Sequence, residues 1–284
     1  MPQFTTHVTG LGFPEGPVPG VDGEIYFTDL RHQCVYRWSE TMGLDKLATV
    51  GGAPNGMRRG PDGHLYVANN GGVWPTEEHG IALAAPQVAG TIQRFDRGAL
   101  TDIVRSVDGE GPLRPNDLVF APDGRVVFTD PRNWEVLPDR TKYETGRIFA
   151  ARLGDEPVEI ARVEGFPNGL TFLPDGSLLV GLTEDKALLR FEWTDGTEQL
   201  QQPQLWAELD PSIGADGIIV VDDKLVVAGS VSDSLHIFDM SGVLVDEWYI
   251  GHDSDPTNLC VAYGRLWVTC GYGESLISTE WPAA

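Results

Sequence analysis

The sequence predicts an all-β fold, a six-bladed β-propeller, with residues 1–284 as a single domain. Three observations predict it. One short hairpin pattern recurs six times along the chain. Further strand-like runs follow most copies, about four strands per unit. Long amphipathic helical patterns are nearly absent, which disfavours an α/β barrel or a doubly wound sheet.

The copies are PEGPVPGVDGEIYFTD from Pro14, PNGMRRGPDGHLYVAN from Pro54 and PNDLVFAPDGRVVFTD from Pro115. PNGLTFLPDGSLLVGL follows from Pro167, ADGIIVVDDKLVVAGS from Ala215 and TNLCVAYGRLWVTCG from Thr257. Their second residues are Glu15, Asn55, Asn116, Asn168, Asp216 and Asn258, at spacings of 40, 61, 52, 48 and 42. Such periods suit propeller blades; a β-sandwich or jelly roll needs no repeat. Asp22-Gly23, Asp62-Gly63, Asp123-Gly124 and Asp175-Gly176 supply turn residues tolerant of positive φ. The runs after them are rich in Val, Ile, Phe and Tyr, as strands prefer. CVYRWS, TIQRFD, RIFAARL, ALLRFEW and LHIFDM are the next strands.

The last copy leaves room for only three strands before Ala284. Phe4 to Gly10, FTTHVTG, reads as an extra strand ahead of the first copy. It is expected to complete the last blade and so remove an exposed sheet edge.

Composition bounds the function. The formal net charge is −22, which disfavours phosphate backbones and anionic lipid, so neither nucleic acid nor membrane is an expected partner. No apolar run approaches the ~18 residues of a membrane helix. MPQFTTHVTG lacks the basic and apolar regions of a secretory signal. Cys34, Cys260 and Cys270 make neither a disulfide framework nor a zinc motif, and read as reduced thiols of a cytoplasmic protein. The 34 glycines and 20 prolines suggest many turns.

In a propeller the innermost strands line a central channel. The second residue of each copy stands at the entry to that strand. Glu15, Asn55, Asn116, Asn168, Asp216 and Asn258 would therefore ring one mouth. Two carboxylates and four amides are hard oxygen donors, suited to Ca²⁺ and poor for soft metals. Asn and Asp also cap turns, and Asn55 and Asn258 are the readiest to serve as caps or supports. Two long loops face the same mouth, Gly71 to Gly90 and Pro131 to Gly146. Trp74, Trp134 and Tyr143 offer apolar contact there.

EGPV with YFTD, then RPNDLVFAPDGRVVFTD, FPNGLTFLPDGSLLV and ADGI, resemble the SMP-30/gluconolactonase/luciferin-regenerating-enzyme-like family. The resemblance covers essentially the whole chain. It implies a six-bladed propeller with one divalent metal ion, Ca²⁺ before Zn²⁺, Mn²⁺ or Mg²⁺. It implies Glu15, Asn116, Asn168 and Asp216 as metal ligands. It implies Arg114 and Asn116 as substrate contacts, and Asp216 as base or nucleophile. The partner would be a small lactone. The enlarged loops, and the FTD after the third hairpin, depart from the animal members.

The expected chemistry is metal-dependent lactone hydrolysis, with the carbonyl polarised and water attacking. Asp216 would take the proton, or water activated at the metal would act directly. Among the histidines, His252 is the best alternative base; His32 and His79 also lie in candidate mouth loops. Two rival functions are phosphotriester hydrolysis at the same site and a non-enzymatic calcium-binding propeller. The nucleophile elbow, the zinc-protease helix, the P-loop and the EF-hand loop are all missing from the sequence.

Overall fold

The structure is a computed structural model and describes residues 2–76, 80–104, 113–132, 134 and 144–281. Six four-stranded antiparallel sheets form a ring, so the fold is a six-bladed β-propeller. Blade 1 comprises Pro14–Pro19, Ile25–Asp29, Cys34–Ser39 and Gly43–Thr49. Blade 2 comprises Pro54–Arg59, Leu65–Asn69, Thr91–Asp96 and Ala99–Val104. Blade 3 comprises Leu118–Phe120, Val126–Asp130, Gly146–Ala151 and Val158–Val163. Blade 4 comprises Pro167–Phe172, Leu178–Leu182, Ala187–Phe191 and Gln204–Glu208. Blade 5 comprises Gly214–Val221, Lys224–Ser230, Ser234–Asp239 and Leu244–Tyr249. Blade 6 takes Pro256–Ala262, Arg265–Cys270 and Ser275–Glu280 from the end of the chain. Its fourth strand is Thr5–Val8, paired antiparallel with Ser275–Glu280. The expected closure is therefore present.

No single core holds the molecule together. Apolar side chains pack at each junction between neighbouring blades. Phe27 and Tyr36 of blade 1 meet Trp267 and Leu276 of blade 6, for example. Val127 and Ile148 of blade 3 meet Leu178 and Val180 of blade 4. Middle strands are thus covered on both faces; Leu65–Asn69 and Val126–Asp130 are buried at every position. Outer strands such as Gly43–Thr49 are largely exposed. This explains why the second strand of each copy reads as a continuous apolar run rather than an alternating one.

Hydrogen bonds also stitch the junctions. Thr28, Thr129 and Thr183 donate from Oγ1 to the carbonyls of Asn55 (2.6 Å), Asn168 (2.8 Å) and Ala215 (2.7 Å) in the following blade. Thr257 does the same to Pro14 across the closing junction, at 2.7 Å. In the FTD runs ending at Asp29 and Asp130, the threonine thus anchors the next blade at a ring residue.

The innermost strands share one irregularity. In blade 1 the register steps from Glu15↔Thr28 to Val18↔Tyr26, one extra residue on the inner strand. The same bulge falls between Pro54 and Met57, Pro167 and Leu170, Ala215 and Ile218, and Pro256 and Asn258. A bulge bends its strand and re-aims a side chain. In blades 2, 4 and 5 it spans the second residue of the copy and the glycine after it; in blade 1 it directly follows Glu15, and in blade 6 it directly precedes Asn258. Glycine follows the second residue in four copies because the neighbouring strand comes too close for a Cβ. A Cβ on Gly169 would lie 2.2 Å from the Asp216 carbonyl oxygen, and one on Gly217 2.4 Å from Asn258 Cγ.

Closure by Thr5–Val8 gives a direct test. Removing residues 2–9 exposes Leu276 and discards the buried Val8. We expect a loss of about 2–4 kcal/mol in urea unfolding, scaled from buried apolar area. An unchanged midpoint would show that the strand does not contribute to ring stability.

Candidate functional site

The ring residues converge on one cavity of about 310 Å³ at a channel mouth. Glu15, Asn55, Asn116, Asn168 and Asp216 line it. Loops that follow the second strands form its upper wall, through Pro75, Ile81, Trp134, Val231 and Tyr272.

The chain is pinned just ahead of several ring residues. Asp29, the last residue of blade 1's second strand, accepts the backbone N–H groups of Gly12 (2.8 Å) and Phe13 (3.1 Å). This fixes the entry to Glu15. Asn69 accepts the Ala53 N–H at 3.1 Å, ahead of Asn55. Asp130 accepts the Arg114 N–H at 3.0 Å, ahead of Asn116, and is itself held by the buried Arg147 guanidinium.

The ring is rich in acceptors that nothing satisfies. The side-chain oxygens of Asn55, Asn116 and Asn168 are buried and have no hydrogen-bond partner. An unpaired buried carbonyl costs roughly 1–3 kcal/mol. Three in one cavity are not a turn-capping arrangement. Asn168 is oriented by its Nδ2, which donates to Thr183 Oγ1 at 3.0 Å. Glu15 accepts the Gly16 N–H at 2.7 Å and Asn258 Nδ2 at 3.0 Å, both on Oε2.

Charge accumulates beside these oxygens. Burial, then the neighbouring Asp117 carboxylate, pushes Glu15 up to about 8. Burial raises Asp216 well above the usual carboxylate range, and Glu15, Asp255 and Asp117 add to the effect. Asp117 is offset by Arg58, whose Nη2 lies 3.1 Å away. Arg58 also reaches Asn258 Oδ1 at 3.4 Å. Asn258 therefore supports Glu15 and Asp117 from beneath and is absent from the cavity wall. Glu15 and Asp216 keep no cation of their own among the described residues lining the cavity.

Two carboxylates, with three partnerless amide oxygens, fit a hard cation. Among the described residues no three His, Cys, Asp or Glu side chains form a cluster able to hold a metal ion, so the fit depends on the asparagines.

The other expected site residues fall as follows. Arg114 is absent from the described cavity wall; its Nη1 donates to the Asn70 carbonyl at 3.1 Å and braces the turn that opens the 71–90 loop. That loop contains a small hairpin, Val73–Pro75 with Ile81–Leu83. Trp134 lines the cavity, whereas Trp74 packs beside Phe13 and Tyr272. Tyr143, His79 and most of Pro131–Gly146 lie outside the described residues. His252 is 84% exposed, sits 2.7 Å from Asp253 and takes no part in the cavity. Cys34, Cys260 and Cys270 are free thiols raised to about 12 by burial, hence unreactive. Asp117, Asp255, Arg58, Phe13 and Phe166 do not stand out in the sequence. The doublets Phe13-Pro14 and Phe166-Pro167 carry a usable signal, since both precede a ring residue by the same step.

A propeller whose inner strands deliver one acid–amide ring to a channel mouth defines the class. The SMP-30/Gluconolactonase/LRE-like model matches residues 13–272, and the chain belongs to that family. No curated protein gives a significant sequence match. Among solved structures, a gluconolactonase from Xanthomonas campestris superposes with a TM-score of 0.79 at 23% identity, covering 98% of this chain and 89% of that one. A luciferin-regenerating enzyme gives 0.79 at 13% identity, covering 99% and 96%. Regucalcin from Agrobacterium tumefaciens, described as a calcium-binding protein, gives 0.74 at 14% identity, covering 97% and 93%. These likenesses show the shared fold. Among the described residues no helix is long and apolar enough to cross a membrane.

The raised proton affinity of Glu15 predicts a pH effect of definite sign. Its folded value of about 8 exceeds the ordinary value of 4.5, so the folded state binds the proton more tightly. In cation-free protein this contribution is complete below pH 4.5 and is lost as pH rises through about 8. Asp216 is shifted in the same sense. We expect the Tm in excess chelator to rise on going from pH 9 to pH 6, and Glu15→Gln to flatten the slope. A Tm that falls over this interval would contradict the assignment.

Proposed function

We propose that the protein is a metal-dependent lactonase acting on a small-molecule lactone. One observation carries the reading: three asparagines on one cavity each keep a buried oxygen without a partner, beside the buried Glu15 and Asp216 carboxylates. Family membership supports a lactonase-type role.

Glu15, Asn116, Asn168 and Asp216 would hold the cation, with Asn55 as a further oxygen donor. The donor set favours Ca²⁺ over softer ions. A divalent cation there supplies Lewis acidity toward the lactone carbonyl and balances the two carboxylates. The chain's own residues do the rest. Asn258 holds Glu15 Oε2 in place. Arg58 sits 3.1 Å from Asp117 and offsets part of the charge that Asp117 places beside Glu15. Asp216 receives a proton from the attacking water at its carboxylate, and its environment raises its affinity for that proton. Coordination would weaken it as a base, whereas burial strengthens it, and the second effect is the one built into the fold. Water adds to the acyl carbon and the acyl–oxygen bond breaks. Asp216 passes its proton to the departing ring oxygen, the new carboxylic acid releases the second water proton to solvent, and the product is a hydroxycarboxylate. Arg114 acts at a distance in this scheme, by setting the turn after Asn70.

Two measurements test the reading. Asp216→Asn should lower kcat by about 10²-fold or more with an unchanged unfolding midpoint. Unchanged turnover would remove Asp216 from the mechanism. Glu15→Gln should weaken Ca²⁺ binding by calorimetry roughly 10–100-fold, the range seen when a metal site loses a supporting group. Chelation should abolish turnover and Ca²⁺ should restore it; full activity in metal-free protein would overturn the proposal.

A further inference from the structure

Above the polar ring, four aromatic side chains of the described cavity wall are arranged with two-fold regularity. Phe13 stands immediately before the innermost strand of blade 1, and Phe166 immediately before that of blade 4. Each is met edge-on by an aromatic ring from the preceding blade. Tyr272 of blade 6 packs against Phe13 at 5.7 Å between centroids, and Trp134 of blade 3 against Phe166 at 5.2 Å. The junctions of blades 6 with 1 and 3 with 4 are half a turn apart in a ring of six. The two aromatic pairs therefore face one another across the mouth, and all four rings line the cavity.

Val231 adds to this wall from blade 5. Its φ is 61°, a conformation that β-branched residues rarely adopt. The Asp255 carboxylate holds it there by accepting its N–H at 3.0 Å. The residue is 59% exposed and borders the cavity. Asn or Gly would take this conformation more cheaply. Strain retained for an exposed isopropyl group points to a role in contact.

The described wall contains no lysine or arginine to meet an anionic substrate. Outside the acid–amide ring its polar side chains are Thr183, Glu184, Ser230, Asp255 and Tyr272, and each already interacts within the protein. Unpaired hydroxyls against aromatic faces are costly, whereas a flat apolar group gains from both area and stacking.

We propose that the site selects a lactone carrying an apolar, preferably aromatic, substituent, held between the Phe13–Tyr272 and Trp134–Phe166 pairs and bordered by Val231. This rests on the lactonase reading and names its substrate class. The lactone carbonyl lies toward the acid–amide ring, and the apolar body fills the slot above.

The test compares dihydrocoumarin, a lactone fused to a benzene ring, with D-glucono-1,5-lactone, using Ca²⁺-loaded wild type and Val231→Asn. Rates are taken relative to spontaneous hydrolysis. Wild type should prefer dihydrocoumarin at least tenfold in kcat/KM. Val231→Asn should keep or raise the Tm, because strain is relieved, while raising KM for dihydrocoumarin threefold or more. Its kcat, and its KM for gluconolactone, should stay within twofold. The lactam analogue 3,4-dihydro-2-quinolinone should inhibit wild type competitively and Val231→Asn more weakly. A preference for gluconolactone, or equal effects of the substitution on both lactones, overturns the substrate class and leaves the lactonase reading standing. Turnover of neither lactone overturns that reading and this one with it.

Discussion

Six strands converge on one axis, and the backbone has almost no room there. That crowding governs the rest of the structure. Where the strands meet at the mouth, each of five carries an extra residue that bends it, at or directly beside the ring residue. Glycine follows wherever the next strand would strike a Cβ, as at Gly16, Gly56, Gly169 and Gly217. The pairs Glu-Gly, Asn-Gly, Asn-Gly and Asp-Gly thus satisfy two demands with two adjacent residues. One supplies an oxygen to the axis and the other admits the neighbouring blade.

Convergence also sets the electrostatics. The Glu15 and Asp216 carboxylates beside three partnerless amide oxygens would be poor design for a protein that only had to fold. Neighbouring acids show what compensation looks like where it exists. Asp130 is closed by Arg147, Asp117 by Arg58, and Asp29 by three backbone N–H groups. Glu15 and Asp216 lack such closure and must share what Asn258 and Asn168 provide. The fold holds an acceptor surplus in place by over-determining the chain on either side of it.

Much of this was legible in the sequence, and the limits are physical. Blade number, hairpin turns and the closing strand follow from repetition, because each blade solves the same local problem. The ring residues were legible for the same reason, standing at one fixed step within every copy. Asn258 shows where position alone stops: it occupies the ring step, yet its side chain turns to support Glu15 rather than the cavity. Arg58 and Asp117 could not be paired from sequence, since they sit in different blades at a separation of 59 residues. The facing aromatic pairs were hidden likewise. Phe13 and Tyr272 are nearly a full chain length apart, and only ring closure makes them neighbours. The direction in which the long Arg114 side chain turns is likewise a tertiary matter, and one of its contacts is the Asn70 carbonyl of the neighbouring blade.

The strand Thr5–Val8 has a consequence for how the molecule comes into being. His7 and Ser278 share a hydrogen bond across 271 positions of sequence. A ribosome releases the first of these segments long before the second exists. Blades 1 to 5 can form as they emerge, but the sixth must wait for a partner made at the outset. During that wait the edge that Ser275–Glu280 will later present has no occupant, and the early segment has no sheet. Because distant pairing is slow, the final docking is the step where a nascent ring is most open to the edges of its neighbours.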